Sequence, residues 1–288
     1  MTIREALTAA TIRLAQNEHL RADAARDAEH LLLHTSGLRR TILFTDPTHE
    51  LTATQRSAYE AAITRRLTLE PIQYITGTQE FYGLPFHVTP AVLIPRPETE
   101  LLVEAVLHVL QRLPSTQPLR IADVGTGSGI IAITLAVHLP QAHITALDIS
   151  PAALAIARHN VETHQVADRI TFLQSDLLSA VPGQTFDAIV SNPPYIPTTD
   201  QPTLHPQVRD HEPHTALYAG PHGLDIYQRL IPQAHAALLP GGLLALEIGH
   251  GQNESIQGLL SEWKDLLLIN DLQQISRIAL ARHQSLST

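Results

Sequence analysis

Apolar residues recur at helical spacing through the first 75 residues. Ile3, Leu7, Ala10 and Leu14 share one helical face, and Ala24, Ala28, Leu31 and Leu32 share another. Gly37 offers a left-handed stop to the second helix. Thr52 with Gln55 has the form of a capping box that opens a further helix to about Leu67. With no strand pattern here, residues 1–75 are predicted to form a small helical bundle. Residues 71–97, PIQYITGTQEFYGLPFHVTPAVLIPRP, are rich in Pro, Gly and aromatics. Around Gly83, residues 80–88 read as a β-hairpin with Phe81 and Tyr82 in its core. Residues 76–95 are therefore expected to link two domains.

From residue 96 onward the pattern alternates. Residues 98–110, 128–138, 151–163 and 223–239 read as helices, the third opened by Pro151. Residues 120–124, 143–147, 170–173, 186–190 and 243–248 are short apolar runs that read as strands. Two runs in the tail, 266–269 and 275–281, suit an antiparallel pair. Strands alternating with helices predict an α/β fold with a doubly wound, mostly parallel sheet over 96–288.

The composition supports folded domains. Of 288 residues, 44% are hydrophobic and 16% charged, enough apolar material for a core. Cysteine is absent, which excludes a disulfide framework and a zinc-thiolate site. No apolar run approaches the ~20 residues of a membrane span, and MTIREALTAA lacks the apolar centre of an export signal. A cytoplasmic protein, monomeric and away from membranes, is expected. The net charge of −9 falls entirely on residues 76–288, because residues 1–75 carry nine Arg and nine acids. An acidic larger part opposes direct nucleic-acid binding. Among the 17 histidines the nearest to a metal cluster is His211-Glu212-Pro213-His214, where Pro213 breaks the helical presentation of two ligands, so no metal is expected.

Two motifs carry chemistry. Asp123-Val124-Gly125-Thr126-Gly127-Ser128-Gly129 follows a predicted strand and opens a helix. Its glycines permit a tight turn and close approach of a ligand to the backbone. The dinucleotide fingerprint needs a further glycine where Ile130 stands, which counts against NAD or FAD. Asp148 ends the next strand, where an acid can accept from ribose hydroxyls. Asp176 follows the third strand, where it can accept from an adenine amine while Leu177 covers the ring edge. These positions describe an adenosine pocket without a pyrophosphate site, similar to that of class I methyltransferases that bind S-adenosylmethionine.

The second motif is Ser191-Asn192-Pro193-Pro194-Tyr195, directly after a strand. The two prolines stiffen the backbone and remove two N–H donors. The Asn192 side-chain oxygen and the Pro193 carbonyl then form an acceptor pair suited to a planar NH2 group. Tyr195 offers an aromatic face to a flat substrate. Acceptors that grip both hydrogens favour charge build-up on nitrogen in the transition state and aim it for in-line displacement. No general base is required before transfer.

The chain resembles the bacterial release-factor glutamine methyltransferases through most of its length. PIQYITGTQEFYG, VLIPRPETE, DVGTGSGIIAITLA, FDAIVSNPPYIP, EPHTALYAGPHGLDIY and LLPGGLLALEIGHGQ all look like signature blocks of that family. NPPY alone also occurs in methyltransferases of nucleic-acid bases; the PRPETE and GLDIY blocks narrow the likeness to protein glutamine. The resemblance implies N5-methylation of the glutamine in the Gly-Gly-Gln motif of peptide chain release factors, affecting translation termination. It assigns cofactor contacts to Gly125, Thr126, Gly127, Ser128, Gly129, Asp148 and Asn192, and substrate contacts to Asn192, Pro193, Pro194 and Tyr195. It further implies that the N-terminal helices help hold the release factor. Leu177 stands where some members carry an aromatic residue.

Other readings use the same residues differently. A base amine in DNA or RNA would suit the NPPY motif, but it calls for a basic channel. An adaptor that binds an adenosyl ligand without turnover would not need NPPY. Arg96, Glu98 and Glu100 open a helix, either as dipole partners or as the lining of a substrate entrance. Glu247 ends a strand, either as a buried carboxylate behind the site or as an ordinary strand-end acid.

Overall fold

The computed structural model describes residues 1–112 and 118–284. The chain divides into two compact units, Met1–Thr78 with His205–His211, and Gln79–Leu204 with the chain from Glu212 onward.

The first unit is helical. α1 (Ile3–Ala15) starts at a capping box between Thr2 and Glu5. α2 (Ala24–Ser36) ends at Gly37, which takes the left-handed conformation at φ 67°. α3 (Ile42–Thr45) is a single turn, α4 (Ala53–Leu67) opens on the Thr52–Gln55 capping box, and α5 (Ile72–Thr76) follows Pro71. Ile3, Ala10, Leu14, Ala28, Leu31, Leu32 and Ile63 meet in one core, with Leu7 at its margin. The apolar stripe of α2 also buries Asp27, because Arg66 Nε donates to its Oδ2 at 2.7 Å. The same guanidinium donates to the Glu70 carbonyl.

The second unit begins with the hairpin of β1 (Thr78–Phe81) and β2 (Leu84–His87). This segment, expected as a linker, packs into the unit's core through Phe81 and Phe86. Its turn at Tyr82 (φ 52°) and Gly83 is held from the next helix, where Glu100 Oε1 accepts from the Tyr82 N–H at 2.7 Å. The remaining elements are α6 (Pro97–Leu110), β3 (Leu119–Val124), α7 (Ile130–His138), β4 (Ala142–Asp148), α8 (Pro151–Thr163), β5 (Ile170–Gln174), β6 (Phe186–Ser191), α9 (Pro206–His211, grouped with the first unit), α10 (Asp225–Ala237), β7 (Leu238–Glu247), α11 (Asn253–Leu259), β8 (Lys264–Asn270) and β9 (Ser276–Arg282).

Seven strands form one sheet in the order β5-β4-β3-β6-β7-β9-β8. β5, β4, β3, β6 and β7 run parallel, and β9 lies antiparallel between β7 and β8. Both faces are buried, so the central strands read as continuous apolar runs. Ile121, Ala188, Val190 and Ala245 face a layer built on α6 and α7. Ala122, Ile189, Leu244 and Leu246 face a layer built on α10 and α11. α7 is apolar all round and is buried from Ile130 to Ala136.

Several boundaries differ from the expected ones by a few residues, and two of the differences have a clear cause. α7 starts at Ile130, not Ser128, because Gly129 at φ 85° is its N-cap. β7 starts at Leu238, not Leu243, because the strand runs on through Gly241-Gly242 with a register irregularity opposite Phe186 and Ala188.

Candidate active site

Sheet register sets the site. Val124 of β3 lies opposite Leu147 of β4 and Ser191 of β6. The next residue on each strand is Gly125, Asp148 or Asn192, so all three reach the carboxyl edge at one level. β4 and β5 lie to one side of β3 and β6 to the other. That reversal is where open α/β sheets hold ligands. A cavity of about 350 Å³ lies there.

One half of the cavity is the glycine turn. Gly125, Gly127 and Gly129 all have positive φ, at 77°, 56° and 85°. A Cβ on Gly125 would sit 3.9 Å from the Asn192 carbonyl, so two motifs far apart in sequence approach closely here. The turn is clamped from below by Asp123, whose Oδ2 accepts from the Thr126 hydroxyl at 2.6 Å and the Ala132 N–H at 3.1 Å. Burial pushes the Asp123 carboxyl up to about 7. Asp148 accepts from Gly127 N–H through Oδ2 and from Ser150 N–H through Oδ1, both at 2.8 Å. Burial raises its pKa too, against those hydrogen bonds.

The structure brings Gly125, Thr126, Gly127, Ser128, Asp148, Asp176, Leu177, Asn192, Pro193 and Pro194 to the cavity wall. Asp176 Oδ2 accepts from Arg229 at 2.6 Å, and its other oxygen has no hydrogen-bond partner among the described residues. Two expected contacts are placed elsewhere. Gly129 is not among the lining residues; a Cβ there would press Ile133 Cδ1 at 3.0 Å and Ala157 Cβ at 3.2 Å, so the bare glycine lets α7 pack closely on α8. Tyr195 turns away from the cavity into the apolar layer, and its hydroxyl donates to Glu247 Oε1 at 3.3 Å. Its ring therefore supports the motif from behind.

The other half of the cavity is the Asn192 turn. The Ser191 hydroxyl donates to the Val124 carbonyl at 2.6 Å and locks β6 to β3. Asn192 Nδ2 donates to Thr99 Oγ1 at 3.0 Å, and Thr99 donates to Glu247 Oε2 at 2.7 Å. Asn192 Oδ1 and the Pro193 carbonyl have no hydrogen-bond partner among the described residues. Glu247 is fully buried, and burial pushes its carboxyl up to about 7 despite the bonds from Thr99 and Tyr195.

Arg96 lines the cavity, as one of its two expected roles had it, but several partnerships around the site are not legible in the sequence. Arg96 donates to the buried Glu212 at 2.6 Å, and Glu212 Oε2 also accepts from the Ile94 N–H. Glu212 is thereby committed away from the histidines on either side of it. Gly223 sits so close to the NPPY turn that a Cβ would fall 2.2 Å from the Tyr195 carbonyl. Buried Asn160 donates to the Ser128 and His87 carbonyls and accepts from His87 N–H, tying hairpin, glycine turn and α8 together. Repeated short-range signals would not reveal any of these, since each partner lies tens of residues away.

Residues 101–205 match the methyltransferase small domain family, and residues 5–77 match the PrmC N-terminal domain family. A release factor glutamine methyltransferase of Koribacter versatilis is 47% identical over 256 residues, 88% of this chain and 90% of that protein. The chain belongs to the release factor glutamine methyltransferase family. A member from Moorella thermoacetica is 48% identical, over 90% of this chain and 89% of its own. The fold is also that of a T. thermophilus 16S rRNA methyltransferase solved with AdoMet and guanosine, at TM-score 0.55 and 20% identity, over 72% of this chain and 50% of that one. Among the described residues no helix is long and apolar enough to cross a membrane.

Proposed function

We propose that this chain transfers a methyl group from S-adenosylmethionine to the side-chain nitrogen (N5) of the glutamine in the Gly-Gly-Gln motif of peptide chain release factors. The observation that carries this reading is the open acceptor pair of Asn192 Oδ1 and Pro193 O on the wall of the cavity that the glycine turn also lines. A carboxamide NH2 has two hydrogens to satisfy, and this pair offers two acceptors.

The cavity fits the cofactor. Its volume of about 350 Å³ is within the range of small-molecule sites. Gly125 and Gly127 would admit the ligand against the backbone, Asp148 would accept from ribose hydroxyls, and the other oxygen of Asp176 from the adenine amine. Leu177 and Ile149 line the apolar wall. When bound, S-adenosylmethionine supplies an electrophilic methyl on a sulfonium centre.

The chain's own residues would do the rest. Asn192 and Pro193 would hold the amide nitrogen with its lone pair directed into the cavity. As that nitrogen gains positive charge, its hydrogens bond more strongly to both acceptors, so the pair stabilises the transition state more than the ground state. Fixed orientation of this kind is worth roughly 7–11 kcal/mol where attack geometry is reached. The proton is lost after transfer. The helical first unit would help hold the release factor, and the protein would act as a monomer without a metal in the cytoplasm.

Incubation with labelled S-adenosylmethionine and either release factor or nucleic acid tests the substrate class. Label is expected in the release factor alone. Label in nucleic acid, or binding of cofactor without any transfer, would overturn the proposal.

A further inference from the structure

We propose that Thr99 and Glu247 form a positioning relay that decides which end of the Asn192 amide faces the substrate. The inference deepens the proposed function and rests on it. Asn192 can turn either its oxygen or its NH2 toward the cavity, and only the oxygen can accept from a glutamine NH2. The two orientations are nearly isosteric, so shape alone does not choose between them.

The proton inventory chooses. Above about pH 7 Glu247 is ionised and can only accept. Its Oε2 takes the Thr99 hydroxyl proton at 2.7 Å and its Oε1 takes the Tyr195 hydroxyl proton at 3.3 Å. Thr99 has one proton, already spent on Glu247, so toward Asn192 its oxygen can only accept. Asn192 must therefore offer Nδ2, which it does at 3.0 Å, and Oδ1 is left for the cavity. A buried negative charge thus sets the acceptor face of the site at two removes.

The relay lies in the protein interior. Thr99 is fully buried and Glu247 is 1% exposed. Tyr227 donates to the Glu247 carbonyl at 2.8 Å and fixes the strand end that carries the carboxylate. Three separated stretches meet here, PRPETE through Thr99, NPPY through Asn192 and Tyr195, and LLALEIG through Glu247. Neither Thr99 nor Glu247 hydrogen-bonds the glycine turn, Asp148 or Asp176 among the described residues, so the relay should affect turnover far more than cofactor binding.

Thr99→Ser, Thr99→Val and Glu247→Gln separate the relay from plain packing. Serine keeps the hydroxyl and loses a methyl; valine keeps the volume and loses the hydroxyl. At about pH 8, with release factor as substrate, Thr99→Ser should stay within a few-fold of wild type. Thr99→Val should lose on the order of 100-fold in kcat, the scale of a misplaced reacting group. Glu247→Gln should lose a similar factor, because its amide can donate to Thr99 and turn the hydroxyl proton toward Asn192. Cofactor affinity by calorimetry should change far less than kcat in all three. The side-chain amide protons of Asn192, followed by NMR exchange, give a readout independent of turnover: protected in wild type and Thr99→Ser, unprotected in Thr99→Val. A valine variant as active as the serine one, or equal amide protection in both, overturns the relay. A wild type that never methylates release factor while the amide pattern holds overturns the proposed function and leaves the relay standing.

Discussion

Glu247→Gln should change how stability depends on pH. The carboxyl is fully buried and pushed up to about 7 from an ordinary 4.5, first by burial and then by Glu98, against bonds from Thr99 and Tyr195 and the charge of Arg277. Between those two values the folded protein keeps a proton that the unfolded chain releases. Stability from this group is therefore fully present below about pH 4.5, falls as pH rises to about 7, and is level above it. The shift corresponds to about 3 kcal/mol in all. Most of it, about 2–3 kcal/mol, falls between pH 5 and 8. Glutamine cannot titrate, so the variant lacks this slope. Other groups, including Asp123, titrate in both proteins and cancel in the difference. Urea unfolding of both proteins at pH 5 and pH 8 measures it. The variant should gain about 2–3 kcal/mol relative to wild type on moving from pH 5 to pH 8. A difference that stays constant with pH would mean that Glu247 is ionised throughout and that its burial costs nothing of this kind.

Three further outcomes are expected. Asn192→Ala removes one of the two acceptors and should lower kcat by roughly 10²–10³ while cofactor affinity changes little; unchanged turnover would remove Asn192 from the chemistry. Gly223→Ala places a Cβ against the Tyr195 carbonyl at 2.2 Å in a left-handed backbone, so the NPPY turn must shift; activity should fall far more than thermal stability, and an unaffected kcat would show that the turn has slack. Asp27→Asn leaves the Arg66 guanidinium buried without its carboxylate; the first unit should lose about 3–5 kcal/mol in denaturant unfolding, and a loss under 1 kcal/mol would mean that water reaches the pair.

Local pattern made much of the molecule readable. The Thr52–Gln55 capping box, the Gly37 stop and the strand–helix alternation each depend on residues within a turn or two, and all three are present in the structure. The glycine turn and NPPY could be placed at strand ends for the same reason. Their register could not be read, because the pairing of Val124 with Ser191 spans 67 positions. The supporting polar network was hidden for a stronger form of that reason. Thr99 reads as an ordinary first-turn residue until Asn192 and Glu247, 93 and 148 positions away, are brought to it. Its place beside the prolines makes Tyr195 read as an aromatic face for a flat substrate; the buried carboxylate behind it gives its hydroxyl a partner inward. The hairpin reads as a linker because the segment is rich in Pro, Gly and aromatics, whereas Phe81 and Phe86 anchor it in the core.

Asn192 and Pro193 are proposed to present a glutamine nitrogen for methylation. Tandem mass spectrometry of release factor after incubation with the enzyme and S-adenosylmethionine addresses this role most directly. One added methyl is predicted, located on the side chain of the glutamine in Gly-Gly-Gln and absent with Asn192→Ala. A methyl on any other residue, or an unmodified Gly-Gly-Gln peptide from enzyme that demonstrably binds the cofactor, would contradict the account.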